Sequence, residues 1–468
     1  MKSESKSSGK EFYALAFGLF LGLTILKFGN PVILDSKISP PVSTSDFLND
    51  AWPTHWANWF FWPLAIAGVM LAFGKMPDWR WPTTHWLWLL PLTWFGWQLF
   101  SASRTVDTDL TAATLGQFAG CVTSYFLGVF LFGSERALRW VLIGVLAAFT
   151  FCLMRAVDQR LFEFPQNHQM LVEGEHTDWT NFPPELFMEM KHEQVIINTN
   201  GVDVANPAIL AKFAKGRVNG TLVYPNALAG AVLLLFPVSL VFAFNNTKRL
   251  RPFIRATVIV LACFLGCAGF FWTGSKLGWL IAMTVAGACL FRLKWPTRFK
   301  WAALILILFV GFGIFAIRFH NYFAAGATSA GARFDYWRAA VQTTLTHPLQ
   351  GTGPGTFQRP YAQLKSPDAE MARLTHNDYL EQFSDSGIAG GIFYAAWILT
   401  ALAVAGRRVR NCGSVTILAI FIGLLGWFIQ GIGEFGLYVP ALAWTAFTLL
   451  GCLLGLPGNR IDKAAAAN

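Results

Sequence analysis

With 468 residues, of which 54% are hydrophobic, 15% aromatic and only 13% charged, the chain is far from a soluble globular composition, where roughly a quarter of residues are charged. A membrane protein is expected. The formal net charge of +10 does not signal a nucleic-acid partner, because the basic residues sit in short loops between apolar runs rather than in a patch on a soluble surface.

A bilayer core takes about 20 apolar residues per helix. That criterion places spans near 12–29, 56–73, 84–101, 112–132, 137–154, 226–244, 254–272, 276–292, 299–317, 387–405, 414–432 and 438–456. The expected fold class is an all-α polytopic membrane protein of about twelve transmembrane helices. The N-terminal run from Phe12 to Leu26 has no small-residue cleavage site before Lys27 and reads as an uncleaved first span. The chain divides into spans 1–154, a long loop 155–225, spans 226–317, a second long loop 318–386, and the last spans with a tail, 387–468. Cys121, Cys152, Cys263, Cys267, Cys289, Cys412 and Cys452 lie in or beside apolar runs, unlike the loop-borne pairs of an oxidised scaffold.

Orientation follows from the short loops, since Lys and Arg near span ends stay cytoplasmic. Lys75 and Arg80, Arg136 and Arg139, Lys248 to Arg255, Arg292 to Lys300, and Arg407 to Arg410 mark alternate connections. Both termini join that set, through Lys2, Lys6 and Lys10 and through Arg460 and Lys463, so both long loops are expected outside. Few ionisable residues fall deep within a span, whereas a pump or coupled transporter lines its path with them.

Chemistry-bearing residues concentrate between Arg333 and Gly387. Arg333, Trp337 and Arg338 fall on a helical stretch ended by His347-Pro348. Arg333 and Trp337 share a face at i,i+4. A guanidinium binds phosphate oxygens bidentately and a ring covers an apolar sugar face, so the pair suits an anionic sugar ligand. On the local pattern alone an interfacial anchor is the favoured reading. Gly351-Thr-Gly-Pro-Gly355 lacks the Gly-Lys-Ser/Thr ending of a nucleotide loop and reads as a tight turn.

His376 to Gly387 reads as a short helix, with Asn377 and Asp378 in its first turn, Tyr379, Leu380 and Phe383 as an apolar stripe, and Gly387 at its end. The dipole at a helix N-terminus favours a neutral His376 ring able to accept a proton. Asp378 or Glu381 is expected to orient that ring; the alternative is a polar cap at the membrane surface. Lys212, Lys215 and Arg217, ahead of the sixth span, and Lys276, at the outer end of the eighth, share this face, and such convergence implies an anionic ligand. Asp107-Thr-Asp109 and the group His168, Glu173, Glu175, His176 and Asp178 lack a discriminating ligand spacing, so they read as solvated loops and no metal is expected.

Arg217-x-x-Gly220-Thr221, Pro225-Asn226-x-x-Ala229, Thr273-x-Ser275-Lys276, Arg333-x-x-x-Trp337, Gly351-x-Gly353-x-Gly355-x-Phe357 and His376-Asn377-x-x-Leu380 with Gly387 follow one another in this order. Together they resemble the O-antigen ligase and O-antigen polymerase superfamily of bacterial envelope glycosyltransferases. Glu434-Phe-x-Leu437-x-x-Pro440 looks like that family's last outer turn, so the resemblance runs over residues 215–445.

The resemblance implies a GT-C-like fold in the bacterial inner membrane and a glycan donor carried on undecaprenyl diphosphate. It also implies an acceptor that is a glycan or lipid A-core, and inverting transfer on the periplasmic side without metal or other cofactor. His376 would be the base, and Arg333 and Arg217 would hold the diphosphate. Lys276, Trp337, Arg338, Asn377 and Tyr379 would complete the substrate contacts. The family usually carries Arg where Lys276 stands, and lysine keeps the charge but loses the planar two-point contact. Ligase and polymerase stay open, and a polysaccharide exporter is the alternative of another class.

Overall fold

In lipid the backbone must satisfy its own N–H and C=O groups, which leaves a long apolar run little choice but to form a helix. Where the expected spans fall within the described residues, most of each is helical. The structure is a computed structural model describing residues 2–73, 85–290, 295–324 and 328–456. The orienting charges Lys75, Arg80, Arg292, Lys294, Arg460 and Lys463 lie outside the described residues.

The first part consists of α1 (Lys2–Lys27), the short α2 (Thr44–Asn49), α3 (Thr54–Phe73), α4 (Leu89–Ala102), α5 (Thr108–Leu131) and α6 (Glu135–Asp158). α6 passes through a π-helical turn, Gln159–Glu163, straight into α7 (Phe164–His176). A small module follows, with α8 (Pro184–His192), an antiparallel hairpin of β1 (Ile196–Thr199) and β2 (Val202–Ala205), and α9 (Pro207–Lys215). Next come α10 (Pro225–Asn246), α11 (Pro252–Thr273), α12 (Lys276–Leu290), α13 (Thr297–Ala324), α14 (Thr328–Thr346) and α15 (Gln358–Leu364). The last helices are α16 (Asp378–Asn411), α17 (Val415–Gln430) and α18 (Pro440–Gly455).

Among the described residues, 7 helices are long and apolar enough to cross a membrane, and α12, α17 and α18 are apolar but shorter. The chain is a largely helical polytopic membrane protein. The stretch 155–225, expected as a loop, is folded: Leu171, Trp179, Met190, Ile196 and Ala205 make a small core of their own. The bilayer criterion ends a span where apolarity ends, whereas the α6 helix continues into polar sequence.

The bundle is built on close backbone approaches, as expected where small residues replace the hydrophobic driving force between helices in lipid. α18 is buried from Pro440 to Leu454 and crosses α5 where Gly128, Gly451 and Gly455 meet partner backbone. Gly18, Gly22 and Gly144 do the same between α1 and α6, and Gly423 of α17 faces the Leu234 carbonyl of α10. α13 exposes Ile305, Phe309 and Ile317. Between α10, α11, α12, α13 and α17 runs an apolar groove of ≈ 1100 Å³.

The expected short helix at Asp378 forms, and Gly387, at φ 71° and ψ −176°, kinks it against the span that follows within α16. Gly351, Gly353 and Gly355 all have positive φ. Their turn is buried, with the Gly355 N–H donating to Asp385 Oδ2 at 2.7 Å, so it is a packed turn rather than an open phosphate cradle.

Candidate active site

At one end of the bundle the start of α16 meets the turn between α17 and α18. The Asp378 N–H donates to the Gly431 and Glu434 carbonyls at 2.7 and 3.1 Å. Its carboxylate accepts the Leu437 N–H at 3.2 Å through both oxygens. Glu381 accepts the N–H and the hydroxyl of Thr375, each at 2.8 Å. Neither carboxylate orients His376, which corrects the expectation from sequence. Both lie on the inward face of α16, where the backbone N–H groups of adjoining turns require acceptors.

His376 is oriented by other groups. Its backbone sits at φ 51°, and its ring stacks on Tyr336 at 5.9 Å and meets Phe435 edge-on at 4.7 Å. Nδ1 is buried and lies 3.6 Å from Glu434 Oε2, too far for a hydrogen bond but within the reach of a charge contact. Glu434 is the hub of the site. Its Oε1 accepts from Arg333 Nη2 at 2.5 Å and Asn226 Nδ2 at 2.7 Å, and its Oε2 accepts from the Tyr224 hydroxyl at 2.9 Å. Burial opposes its ionisation, yet His376, Arg333 and Tyr224 together hold the carboxyl below the usual glutamate range.

Arg217 reaches the same cluster from the turn after α9. Its Nε donates to the Thr273 carbonyl at 2.7 Å and its Nη2 to Asn226 Oδ1 at 2.9 Å. That turn is clamped by the side chain of Gln159, in the π-helical turn. Gln159 Oε1 accepts the Asn219 and Gly220 N–H groups at 3.1 and 2.8 Å, and its Nε2 donates to the Gly220 carbonyl at 3.0 Å. Lys276 lies over the Phe319 ring at 5.3 Å and Arg318 over Phe271 at 5.0 Å. The charges of Glu434, Arg333 and Arg318 all reach Arg217, and those of Arg217, Arg333 and Lys215 reach Lys276. Around Arg217 and Lys276 cations therefore outnumber the Glu434 carboxylate, an excess that suits a polyanion.

The structure thus gathers His376, Arg333, Arg217 and Lys276. Trp337 borders the site, packed beside Tyr336, Phe357 and Tyr361, with its indole Nε1 buried and without a hydrogen-bond partner among the described residues. Arg338 is exposed. The polar groups of the remaining two residues serve the fold: Asn377 Oδ1 caps α16 on the Tyr379 and Leu380 N–H groups, and the Tyr379 hydroxyl donates to the Phe428 carbonyl at 3.1 Å. Asp107 caps α5 and pairs with Arg359 at 2.5 Å, so the Asp107-Thr-Asp109 pattern has a structural use. Among the described residues no group of three or more His, Cys, Asp or Glu side chains is placed to hold a metal ion.

Tyr224, Asn226, Tyr336, Gln159 and Glu434 are the contributors that sequence reasoning left out of the site. The available signal was Glu434 itself, a carboxylate in a short turn between two apolar runs, where a charge is costly unless paired.

Residues 261–395 match a family model described as O-antigen ligase. Over that stretch the chain is similar to the O-antigen ligase family. The matched residues include Lys276, Arg333, Trp337 and His376, whereas Arg217, Tyr224, Asn226 and Glu434 of the same cluster lie outside them. The match is narrower than the 215–445 expected from the motifs, and the cluster draws on residues to either side of it. No curated protein matches the sequence.

Proposed function

We propose that the chain transfers a glycan from undecaprenyl diphosphate to an acceptor hydroxyl on the outer side of the inner membrane, with inversion at the anomeric carbon. The observation that carries this reading is the His376 ring held beside buried Glu434 amid Arg217, Lys276 and Arg333.

With Nδ1 turned to Glu434, Nε2 is the nitrogen available to the acceptor. The acceptor oxygen attacks C1 as its proton passes to His376. The bond from C1 to the phosphate oxygen breaks, and the diphosphate leaves with the electron pair. Glu434 offsets the charge of the resulting imidazolium, and the arginines offset the charge growing on the leaving group, where fixed cations act most strongly. A guanidinium carries five N–H donors, so Arg217 retains donors for phosphate beyond those it gives to Thr273 and Asn226. The apolar groove reaches Phe271 and Trp272, next to the Thr273 carbonyl that holds Arg217, and suits the polyisoprenyl tail.

The test is reconstitution of the purified chain with an undecaprenyl-diphosphate-linked glycan and two acceptors in separate vesicles. A new glycosidic bond to lipid A-core identifies a ligase and growth of the lipid-linked glycan a polymerase. Transfer to neither acceptor, with the donor left intact, overturns the reading.

A further inference from the structure

At the far end of α10 and α17 from the Glu434 cluster lies a polar cavity, of ≈ 540 Å³, between α6, α10 and α17. α10 has 22 residues between Pro225, beside the cluster, and Asn246, at this cavity, which separates the two by about 33 Å along the helix. α17 agrees: its first turn lines the cavity, and Gln430 at its other end donates to the Asn226 carbonyl at 2.9 Å. The cavity therefore opens on the opposite face of the bundle.

Its charged lining is Arg139, Lys248 and Arg249 against Glu135. Arg139 Nη2 donates to Asn246 Oδ1 at 2.6 Å, which fixes the guanidinium at the mouth, and Lys248 sits over the Phe244 ring at 6.0 Å. Ser414 and Thr416, from the first turn of α17, also line the cavity, and Ser414 makes no capping hydrogen bond with its side chain. The N–H groups of that first turn add a positive potential. The lining also includes apolar Leu138, Leu142, Phe242 and Ile417, and of these Leu138, Leu142 and Ile417 are buried, so the inner side of the cavity is apolar.

We propose that this cavity binds the phosphate headgroup of an anionic phospholipid. The cations and the α17 N-terminus take the phosphodiester, and the apolar floor takes the start of the acyl chains. Basic pockets between membrane helices recognise acidic headgroups in this way. Free inorganic phosphate would use the mouth but gain nothing from the floor.

The experiment uses the full chain in nanodiscs of phosphatidylcholine doped with phosphatidylglycerol, followed by native mass spectrometry of the lipid retained after gentle delipidation. The parent should retain phosphatidylglycerol preferentially, and Arg139→Gln with Arg249→Gln should reduce that preference about ten- to thirty-fold. Arg407→Gln with Arg410→Gln removes the same charge from exposed positions near the end of α16, outside the cavity lining, and should leave the preference intact. Equal loss in both double variants would mean diffuse surface attraction and would overturn the site. An unchanged preference in Arg139→Gln with Arg249→Gln would overturn it as well. Displacement of the retained lipid by millimolar inorganic phosphate would overturn the lipid assignment.

Discussion

In the proposed reaction His376, Arg333 and Glu434 divide the chemistry, and substitutions should separate their parts. His376→Ala should lower turnover by about 10²- to 10⁴-fold while leaving donor affinity nearly intact, because base assistance acts on the acceptor. Arg333→Ala should weaken donor binding and turnover together, and Arg333→Lys should recover only part, since a point charge replaces a fork. Full transfer by His376→Ala in the reconstituted assay would refute the assignment. Glu434→Gln puts an amide donor against the donors of Asn226, Arg333 and Tyr224 and should cost about 1–3 kcal/mol of stability. The Glu434 carboxyl is held below its ordinary range in the folded chain. Its contribution is therefore complete above the ordinary value of about 4.3 and fades as pH falls through the lower folded value. The gap in Tm between parent and Glu434→Gln should accordingly be flat from neutral pH to about pH 4 and close below it; a gap that widens on acidification would contradict this. That His376 and Arg333 belong together was legible because polar and charged residues concentrate between Arg333 and Gly387 in an otherwise apolar chain. Glu434 as a hub was not, because its partners Tyr224, Asn226 and Arg333 come from separate stretches that only folding brings together.

At the level of elements, the kink in α16 is what lets His376 face the cluster while the rest of the helix enters the bundle. Gly387 holds a backbone conformation that is essentially restricted to glycine, and an added Cβ would meet the Leu349 and Pro348 carbonyls. Gly387→Ala should destabilise the chain by at least about 1–3 kcal/mol. Gly96→Ala, in α4 with open space around the new methyl, should be close to neutral. Thermal unfolding of the two variants in one detergent checks the pair, and equal Tm values would sink the argument. Hydropathy made the helices of the bundle readable, because length and apolarity are what a bilayer selects. It could not show the α8, β1–β2 and α9 module, whose small core around Trp179 is diluted by charged residues along the same stretch.

For the molecule as a whole, the proposed chemistry requires the His376 end of the bundle to lie outside. Reporter fusions after Lys191 and Lys365 should be extracytoplasmic, and fusions after Lys248 and Arg408 cytoplasmic, by the retention of short-loop cations. A cytoplasmic Lys365 would remove the proposed reaction from the outer face. The uninterrupted helix Glu135–His176 adds a mechanical consequence. Its 42 residues extend about 63 Å, against a hydrocarbon core of about 30 Å, so close to half of it stands clear of the lipid like a mast. The α8–α9 module is rigged to the top of that mast, and Gln159 ties the turn bearing Arg217 at its waist. Any tilt of the module would therefore be felt at that tie, and through it at the turn that presents Arg217.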